Sequence, residues 1–277
     1  MGANKTASTS FQTLCKNSRK VFEENNLVFP QYKSWKQHSF AAWMSQKRDV
    51  KNLSQFLRSI FDDTRQNKCN ITILSGEAFE NFLVDTHLAN EFEEIAKQEG
   101  YSDIEWVVIH RNPLDYLKSI YAEMSGYKVV LDIGLMANLI LEYGYISPSG
   151  RNYNNKFVFD ILKFSELFKK SVNSNLTIIK FEDFISGFVG KIFFKTIVDK
   201  KSMINISDIA RSNVESRKRF SPEKVEFRYV ANFLGMAPSK KFHENNTNLV
   251  DSLITHRMNR NIALLSEIEI KFKERFG

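Results

Sequence analysis

The sequence predicts an α/β domain in which a parallel sheet carries helices on both faces. Apolar, β-branched runs indicate strands at residues 71–75, 105–110 and 176–181. Helical patterns separate these runs, which favours parallel β-α-β units because parallel neighbours need a long crossover connection. The chain of 277 residues, 43% of them hydrophobic, can bury a full core, and no linker rich in proline, glycine or serine divides it. We therefore expect a single domain over residues 1–277.

Two apolar stripes at helical spacing are expected to face this core. The first stripe, near the start of the chain, consists of Phe11, Leu14, Ser18, Val21 and Phe22. The second stripe, near the end, consists of Ile254, Met258, Ile262, Leu265 and Ile268. Side chains at this spacing share one face of a helix, and burial in the core is the simplest reason for the pattern.

The segment 4–10, Asn-Lys-Thr-Ala-Ser-Thr-Ser, indicates a phosphate-binding loop that runs into a helix. The lysine supplies a point charge, the hydroxyls supply hydrogen-bond donors, and the first helical turn supplies unpaired N–H groups at the positive end of the dipole. The order differs from G-x-x-x-x-G-K-[ST], in which the lysine stands just before the helix. Serine and threonine also cap ordinary helices, so this loop alone leaves both interpretations open.

A second motif follows the strand predicted at 105–110. Arg111 ends that strand, Pro113 begins a helix where its missing N–H costs nothing, and Ser119 falls inside the helix. A guanidinium can give two parallel charge-assisted hydrogen bonds to a phosphate, and a serine can add a further donor. The alternative is a surface arginine beside a solvated helical serine.

Together the two motifs resemble those of sulfotransferases that use 3′-phosphoadenosine 5′-phosphosulfate (PAPS). In that family a Lys-Thr-small-Ser-Thr-Ser loop holds the 5′-phosphosulfate. An Arg-x-Pro segment with a serine eight positions after the arginine holds the 3′-phosphate, and this chain matches both patterns. The strand ends Ser75-Gly76-Glu77 and Glu182-Asp183-Phe184 are similar to the bacterial and carbohydrate-type branch. The resemblance runs through most of residues 2–190 and implies a three-layer parallel sheet flanked by helices, related to P-loop nucleotide-binding domains.

The resemblance also implies an activity and a set of residues. The reaction would be transfer of a sulfuryl group from PAPS to an acceptor hydroxyl, most simply on a carbohydrate or glycolipid, without a metal. The residues implied in binding PAPS are Lys5, Thr6, Ser8, Thr9, Ser10, Arg111 and Ser119.

The catalytic residues implied are Lys5, His38 and Glu77. Lys5 would neutralise charge on the leaving phosphate. His38 is the first candidate for the general base because its ordinary pKa suits that role near neutrality. Glu77 is the second, because ligands gather at the carboxyl ends of parallel strands. His38 could instead simply hydrogen-bond or cap a helix, and Glu77 could hold a loop.

The chain departs from the family pattern at two places. The family's loop follows a central parallel strand, and too few residues stand ahead of Asn4 to form it, so we expect a sheet without its first central strand. Its absence would leave ladder hydrogen bonds unmade on both sides. Ala7 replaces the usual glycine, and its methyl group would hinder approach to the phosphate if the backbone there is left-handed.

Two other functions stay open at this stage. Glu182-Asp183, after a predicted strand, could mimic the magnesium-binding pair of an ATP-dependent phosphotransferase. A non-catalytic relative that binds anions or glycans would keep the same loop. Calorimetric binding of a 3′-phosphorylated nucleotide, compared with magnesium-ATP, distinguishes these possibilities.

Composition narrows the partners and the compartment. The net charge of +7 suits an anionic cofactor or substrate, but charges of both signs are mixed along the chain and do not indicate nucleic acid. A basic cluster would either close over the 3′-phosphate of the nucleotide or guide an acidic acceptor. The alternative is a solvated surface. Its members are Arg211, Arg217, Lys218, Arg219 and Lys224. Two cysteines and the lack of an apolar span predict a cytoplasmic protein.

Overall fold

The computed structural model describes residues 7–30, 38–127, 129–150, 153–212, 221–239 and 247–277. Within these ranges the chain is mostly helical, with short strands that pair two by two in open sheets. This content is compatible with the predicted α/β class. The chain divides into two compact units, Met1–Arg111 with Ile161–Ser216 and Asn112–Asp160 with Arg217–Gly277.

Helices account for most of the described chain. In chain order they are α1 (Ser8–Asn17), α2 (Arg19–Glu24), α3 (Ser39–Gln46), α4 (Val50–Gln66), a 3₁₀ helix (Glu77–Glu80), α5 (Asn81–Val84), α6 (Thr86–Gln98), α7 (Pro113–Gly126), α8 (Ile133–Tyr143), α9 (Ile161–Ser171), α10 (Phe181–Ile185), α11 (Lys191–Phe194), α12 (Lys200–Ser212), α13 (Pro222–Phe233) and α14 (Thr247–Phe276). None of these described helices combines the length and the apolar character needed to cross a bilayer.

The strands are short apart from two. They are β1 (Leu27–Val28), β2 (Ile71–Thr72), β3 (Glu105–His110), β4 (Tyr145–Ile146), β5 (Ser149–Gly150), β6 (Tyr153–Asn154), β7 (Phe157–Val158) and β8 (Asn175–Lys180). In the first unit β1 pairs in parallel with β2, and β3 pairs in parallel with β8. In the second unit the pairs β4–β7 and β5–β6 are antiparallel.

The predicted strands agree with these elements to different degrees. The strand predicted at 105–110 is β3, and the one predicted at 176–181 is β8 displaced by one residue. The strand predicted at 71–75 ends as a ladder at Thr72. Ile73 still donates to the Val28 carbonyl (2.9 Å), but the Ser75 N–H donates to the Nδ1 atom of His38 (2.9 Å). A side chain therefore takes the place of the next backbone partner, and the ladder stops.

The first predicted stripe is buried as expected, although it spans two helices. Phe11 and Leu14 lie on α1, Val21 and Phe22 lie on α2, and the buried Ser18 stands between the helices. Phe11 stacks on Phe194 with ring centroids 5.5 Å apart. These side chains share one core cluster with the apolar residues Ile109 of β3 and Ile179 of β8. The cluster fixes α1 against this pair of strands.

The second predicted stripe is only partly right. Ile254 and Ile268 are buried on α14, but Ile262 is 63% exposed, and Asn261 is buried instead. The physical reason is a polar partner: Asn261 Nδ2 donates to Glu226 Oε1 on α13 at 2.9 Å. The spacing of apolar residues places Asn261 on the surface, because it contains no information about this hydrogen bond.

Candidate functional site

The start of α1 lies at the carboxyl end of β2. Ser8 Oγ donates to Glu77 Oε1 at 2.5 Å, and Gln12 Nε2 donates to Ser75 Oγ at 3.3 Å. Ser8 is buried and Glu77 is half-buried. Two segments that the sequence predicted separately, the helical end of the loop and the end of a strand, therefore meet in the fold. The serine hydroxyl orients the carboxylate of Glu77.

The first turn of α1 has no side-chain cap among the described residues. The amide groups of Ser8, Thr9 and Ser10 lie in the first turn of the helix. No carbonyl of α1 lies four residues before them, so they lack intrahelical partners. The half-buried hydroxyls of Thr9 and Ser10 make no hydrogen bond to a described residue. Lys5 and Thr6 lie outside the described residues. These amides and hydroxyls are the donors that an oxyanion at a helix start uses.

Ala7, the residue before α1, has a left-handed backbone with φ 59° and ψ 23°. A residue with a Cβ pays about 1–2 kcal/mol for this conformation, whereas glycine adopts it freely. The left-handed backbone is also the condition under which the methyl group of Ala7 is expected to hinder close approach of a phosphate. The backbone at the entrance to the helix is therefore strained.

We expect Ala7→Gly to stabilise the protein by about 0.5–1 kcal/mol. The relief of about 1–2 kcal/mol is partly offset by the extra freedom of glycine in the unfolded chain. The urea midpoint should rise with an unchanged m-value. Ala210→Gly, in the regular helix α12 of the same unit, is the control and should destabilise by up to about 1 kcal/mol. A loss of stability in both variants would contradict strain at Ala7.

His38 is buried, and backbone groups occupy both of its ring nitrogens. Nδ1 accepts from the Ser75 N–H at 2.9 Å, and Nε2 lies 2.8 Å from the Pro30 carbonyl oxygen. Because an amide can only donate and a carbonyl can only accept, the neutral ring carries its proton on Nε2. To act as a general base, His38 would have to give up one of these bonds. The observed contacts make it a residue that positions the segment ahead of Glu77.

Stability is expected to fall as the pH drops below neutrality because burial lowers the pKa of His38. The unfolded chain binds a proton on this histidine near pH 6.5, whereas the folded state binds it only at a lower pH. The contribution of His38 to stability is therefore fully present above about pH 6.5 and decreases below it. Burial lowers the pKa of His110 as well, in the same direction. Urea midpoints between pH 7.5 and 5.5 measure the slope. His38→Gln should flatten it, and the exposed His87→Gln should not.

Arg111 stands at the carboxyl end of β3, as predicted. Its guanidinium carbon lies 4.9 Å from the ring centroid of Phe181, the residue that follows β8. The next helix begins at Pro113, as predicted, and the side chain of Asn112 caps it. Ser119 lies half-buried on α7 in the second unit. The cation–π contact keeps the charge of Arg111 at the carboxyl edge of the β3–β8 pair.

The remaining predicted groups are the acidic pair Glu182-Asp183 and the basic cluster that begins at Arg211. Glu182 and Asp183 lie in the first turn of α10, directly after β8. In the basic cluster, Arg211 pairs with the exposed Asp208 at 3.6 Å, and Arg217, Lys218 and Arg219 lie outside the described residues. The described residues contain no group of three or more histidine, cysteine, aspartate or glutamate side chains that could hold a metal ion.

A cavity that was not predicted from the sequence lies in the first unit. Its volume is about 950 Å³, and its lining includes Ser8, Ser75 and Phe184. The one sequence signal for it was the expected absence of a central strand. No protein-family model, curated protein or solved structure matches this chain. The functional proposal therefore depends on the sequence motifs and on the geometry of the site.

Proposed function

We propose that the protein is a sulfotransferase that moves the sulfuryl group of PAPS to an acceptor hydroxyl. The observation that carries the proposal is the uncapped start of α1, which meets Glu77 at the carboxyl end of β2. Donors for an anion and a carboxylate that could accept a proton thus lie side by side. The finer architecture implied by the resemblance, a three-layer parallel sheet, belongs to the same proposal.

The nucleotide would be held at its two phosphorylated ends. The amides of the first turn of α1, with the hydroxyls of Thr9 and Ser10, suit the 5′-phosphosulfate, and the motif adds Lys5 and Thr6. Arg111 suits the 3′-phosphate, because its planar fork can give parallel hydrogen bonds while its face rests on Phe181.

The proposed chemistry is a single in-line displacement at sulfur. The acceptor oxygen forms a bond to sulfur as the bond from sulfur to the bridging phosphate oxygen breaks. The acceptor proton passes to the carboxylate of Glu77, and the electron pair of the broken bond stays on the 5′-phosphate, where Lys5 would stabilise the charge. Glu77 is preferred over His38 because both ring nitrogens of His38 already bind backbone groups.

The acceptor proposed is a sugar hydroxyl on a glycan or glycolipid. This class follows from the similarity of the strand-end motifs Ser75-Gly76-Glu77 and Glu182-Asp183-Phe184 to the carbohydrate-type branch. A fold alone cannot name an acceptor, so the choice depends on those motifs.

Calorimetric titration with 3′-phosphoadenosine 5′-phosphate, compared with ATP plus magnesium, tests the proposal. We expect a preference for the 3′-phosphorylated nucleotide and a loss of about 10- to 100-fold in Arg111→Ala. Arg65→Ala is a matched control, because Arg65 also lies over a ring, that of Phe61, at 5.5 Å. Its affinity should stay within about twofold.

The other outcomes are equally definite. A preference for magnesium-ATP would favour a phosphotransferase. Binding of the 3′-phosphorylated nucleotide without transfer from PAPS to a pool of oligosaccharides would favour a non-catalytic relative. No binding of either nucleotide would contradict a nucleotide site at the start of α1.

A further inference from the structure

The carboxyl ends of α7 and α13 lie side by side in the second unit. Tyr121 OH on α7 donates to Glu226 Oε1 on α13 at 2.9 Å. Further along both helices, Asn232 Nδ2 on α13 donates to the Ser125 carbonyl on α7 at 2.8 Å. The two helices therefore run in the same direction, and each ends at the residue that follows this second contact.

The amino end of α14 lies at the same end of the second unit. Asn261 on α14 donates to Glu226 in the first half of α13. Near the end of α13, Val230 shares a core cluster with Val250 and Ile254 near the start of α14. α14 therefore runs antiparallel to α13. One end of the second unit thus combines the last turns of two helices with the first turn of a third.

Large apolar residues are exposed at this end. Phe233 is the last residue of α13, Tyr127 follows α7, and Leu249 lies in the first turn of α14. Gly235 turns the chain beyond α13 with a left-handed φ of 68°, and the residues on both sides of it are exposed. We call the exposed apolar residues at this end the apolar tip, and its members are Tyr127, Phe233, Leu234, Met236 and Leu249. Each of them is between 45% and 69% exposed.

Phe233 is held in place although it is the most exposed member of the apolar tip. Its ring stacks on that of Tyr229, with ring centroids 6.4 Å apart and 8° between the planes. Tyr229 is itself buried, and the guanidinium of Arg257 lies over its ring, 3.6 Å from the centroid. An aromatic side chain that is already fixed loses little freedom on association, and such anchors contribute most of the binding energy at protein interfaces.

The sequence around the apolar tip carries no net charge. Among the residues within two positions of its members, Lys128 and Asp251 carry charges, and these two cancel. A surface that binds anionic lipid or nucleic acid needs a cluster of lysine and arginine residues. A neutral apolar surface favours a neutral apolar partner instead, and two copies of the apolar tip bring no excess of like charge together.

The size of the apolar tip suits a contact between two copies of this chain. A large aromatic side chain buries about 150–250 Å², so five half-exposed apolar side chains offer roughly 500 Å². Two such surfaces placed face to face would bury roughly 1,000 Å², and the polar residues around them would bring this to the ~1,200 Å² at which specific interfaces begin. A two-fold axis sets a surface against itself, which is the commonest arrangement of homodimers.

We propose that the apolar tip is the contact surface of a homodimer, in which two copies of this chain pack their tips together about a two-fold axis. Phe233 is the anchor of this contact because it is the most exposed member and is fixed by Tyr229. The contact removes five apolar residues from water. The apolar tip belongs to the second unit, whereas α1 and Glu77 belong to the first, so this inference does not depend on the proposed sulfuryl transfer.

Sedimentation velocity of the full chain at concentrations from about 1 to 100 μM tests the proposal. We expect a dimer at the upper end and a shift toward monomer on dilution. Phe233→Ala should raise the dissociation constant of the dimer by at least about 30-fold, the effect of removing an interface anchor. Leu162→Ala is the matched control, because Leu162 is 68% exposed but lies on α9 in the first unit. Its dissociation constant should stay within about twofold of the original.

A second variant separates the contact from any effect on folding. Leu249→Lys places like charges on the two facing surfaces and should give a monomer with an unchanged circular dichroism spectrum. A monomer of the original chain at every concentration would overturn the proposal. Binding of that monomer to neutral phosphatidylcholine vesicles, lost in Phe233→Ala, would assign the apolar tip to a membrane surface instead. A dimer that neither Phe233→Ala nor Leu249→Lys weakens would also overturn the proposal, because the contact would then lie elsewhere.

Discussion

Replacing Glu77 with glutamine is expected to lower the rate of sulfuryl transfer by about 10²–10⁴-fold. Glutamine keeps the shape of the side chain and an oxygen that can accept the Ser8 hydroxyl, which lies 2.5 Å from the carboxylate. It cannot take the proton of an acceptor. Affinity for 3′-phosphoadenosine 5′-phosphate should stay within about threefold, since binding energy to the nucleotide is unchanged. Release of this nucleotide from PAPS, in the presence of pooled oligosaccharides, measures turnover.

Glu182→Gln is the matched control for this experiment. Glu182 also lies at the carboxyl end of a parallel strand in the first unit, directly after β8. Its neutralisation should change turnover by less than about threefold if Glu77 is the base. Loss of a magnesium-dependent transfer from ATP in Glu182→Gln would instead support the phosphotransferase. Full turnover in Glu77→Gln would remove Glu77 from the base role, and loss of nucleotide binding would make its role structural.

The elements that the sequence predicted best are those with strong local signals. The apolar run of β3 gives way to Arg111, and Pro113 then begins α7. Both signals act over two or three residues, so they need no knowledge of the rest of the fold. The first apolar stripe is also local, and its members are buried as expected.

The differences arise from contacts between residues far apart in the chain. The ladder of β2 stops because Ser75 donates to His38, which lies 37 positions earlier. Asn261 is buried because Glu226, 35 positions earlier, accepts its hydrogen bond. Ser8 and Glu77 lie 69 positions apart, so their motifs were visible in the sequence but their hydrogen bond was not. A side-chain partner at such a distance leaves no periodic signal.

The cluster around Glu226 is a buried polar group of the second unit that also depends on partners far apart in the chain. Glu226 is 4% exposed and accepts from Tyr121 OH at 2.9 Å, Arg257 Nε at 2.8 Å and Asn261 Nδ2 at 2.9 Å. The guanidinium of Arg257 also lies over the ring of Tyr229, 3.6 Å from its centroid. Burial and the nearby carboxylate raise the pKa of Tyr121 well above its ordinary value, which keeps its hydroxyl a donor.

We expect Glu226→Ala to destabilise the second unit by about 3–5 kcal/mol, because it leaves a largely buried guanidinium without its closest anion. Asp132, 3.6 Å from Arg257, is a more distant substitute. Circular dichroism in urea measures the loss. Tryptophan fluorescence is not suitable, because all three tryptophans fall within residues 1–111, which belong to the first unit. Glu269→Ala is the surface control. It removes an exposed pair with Lys273 and should cost less than about 1 kcal/mol.

A double-mutant cycle then separates the charge from the packing. If the loss in Glu226→Ala comes from an uncompensated cation, Glu226→Leu combined with Arg257→Met should recover most of it, because apolar side chains of similar volume replace a buried ion pair at little cost. The coupling energy should exceed about 1 kcal/mol in favour of the native pair. Additive losses would mean that Glu226 stabilises the second unit through its contacts with Tyr121 and Asn261, and that the guanidinium finds enough compensation in Asp132 and the ring of Tyr229.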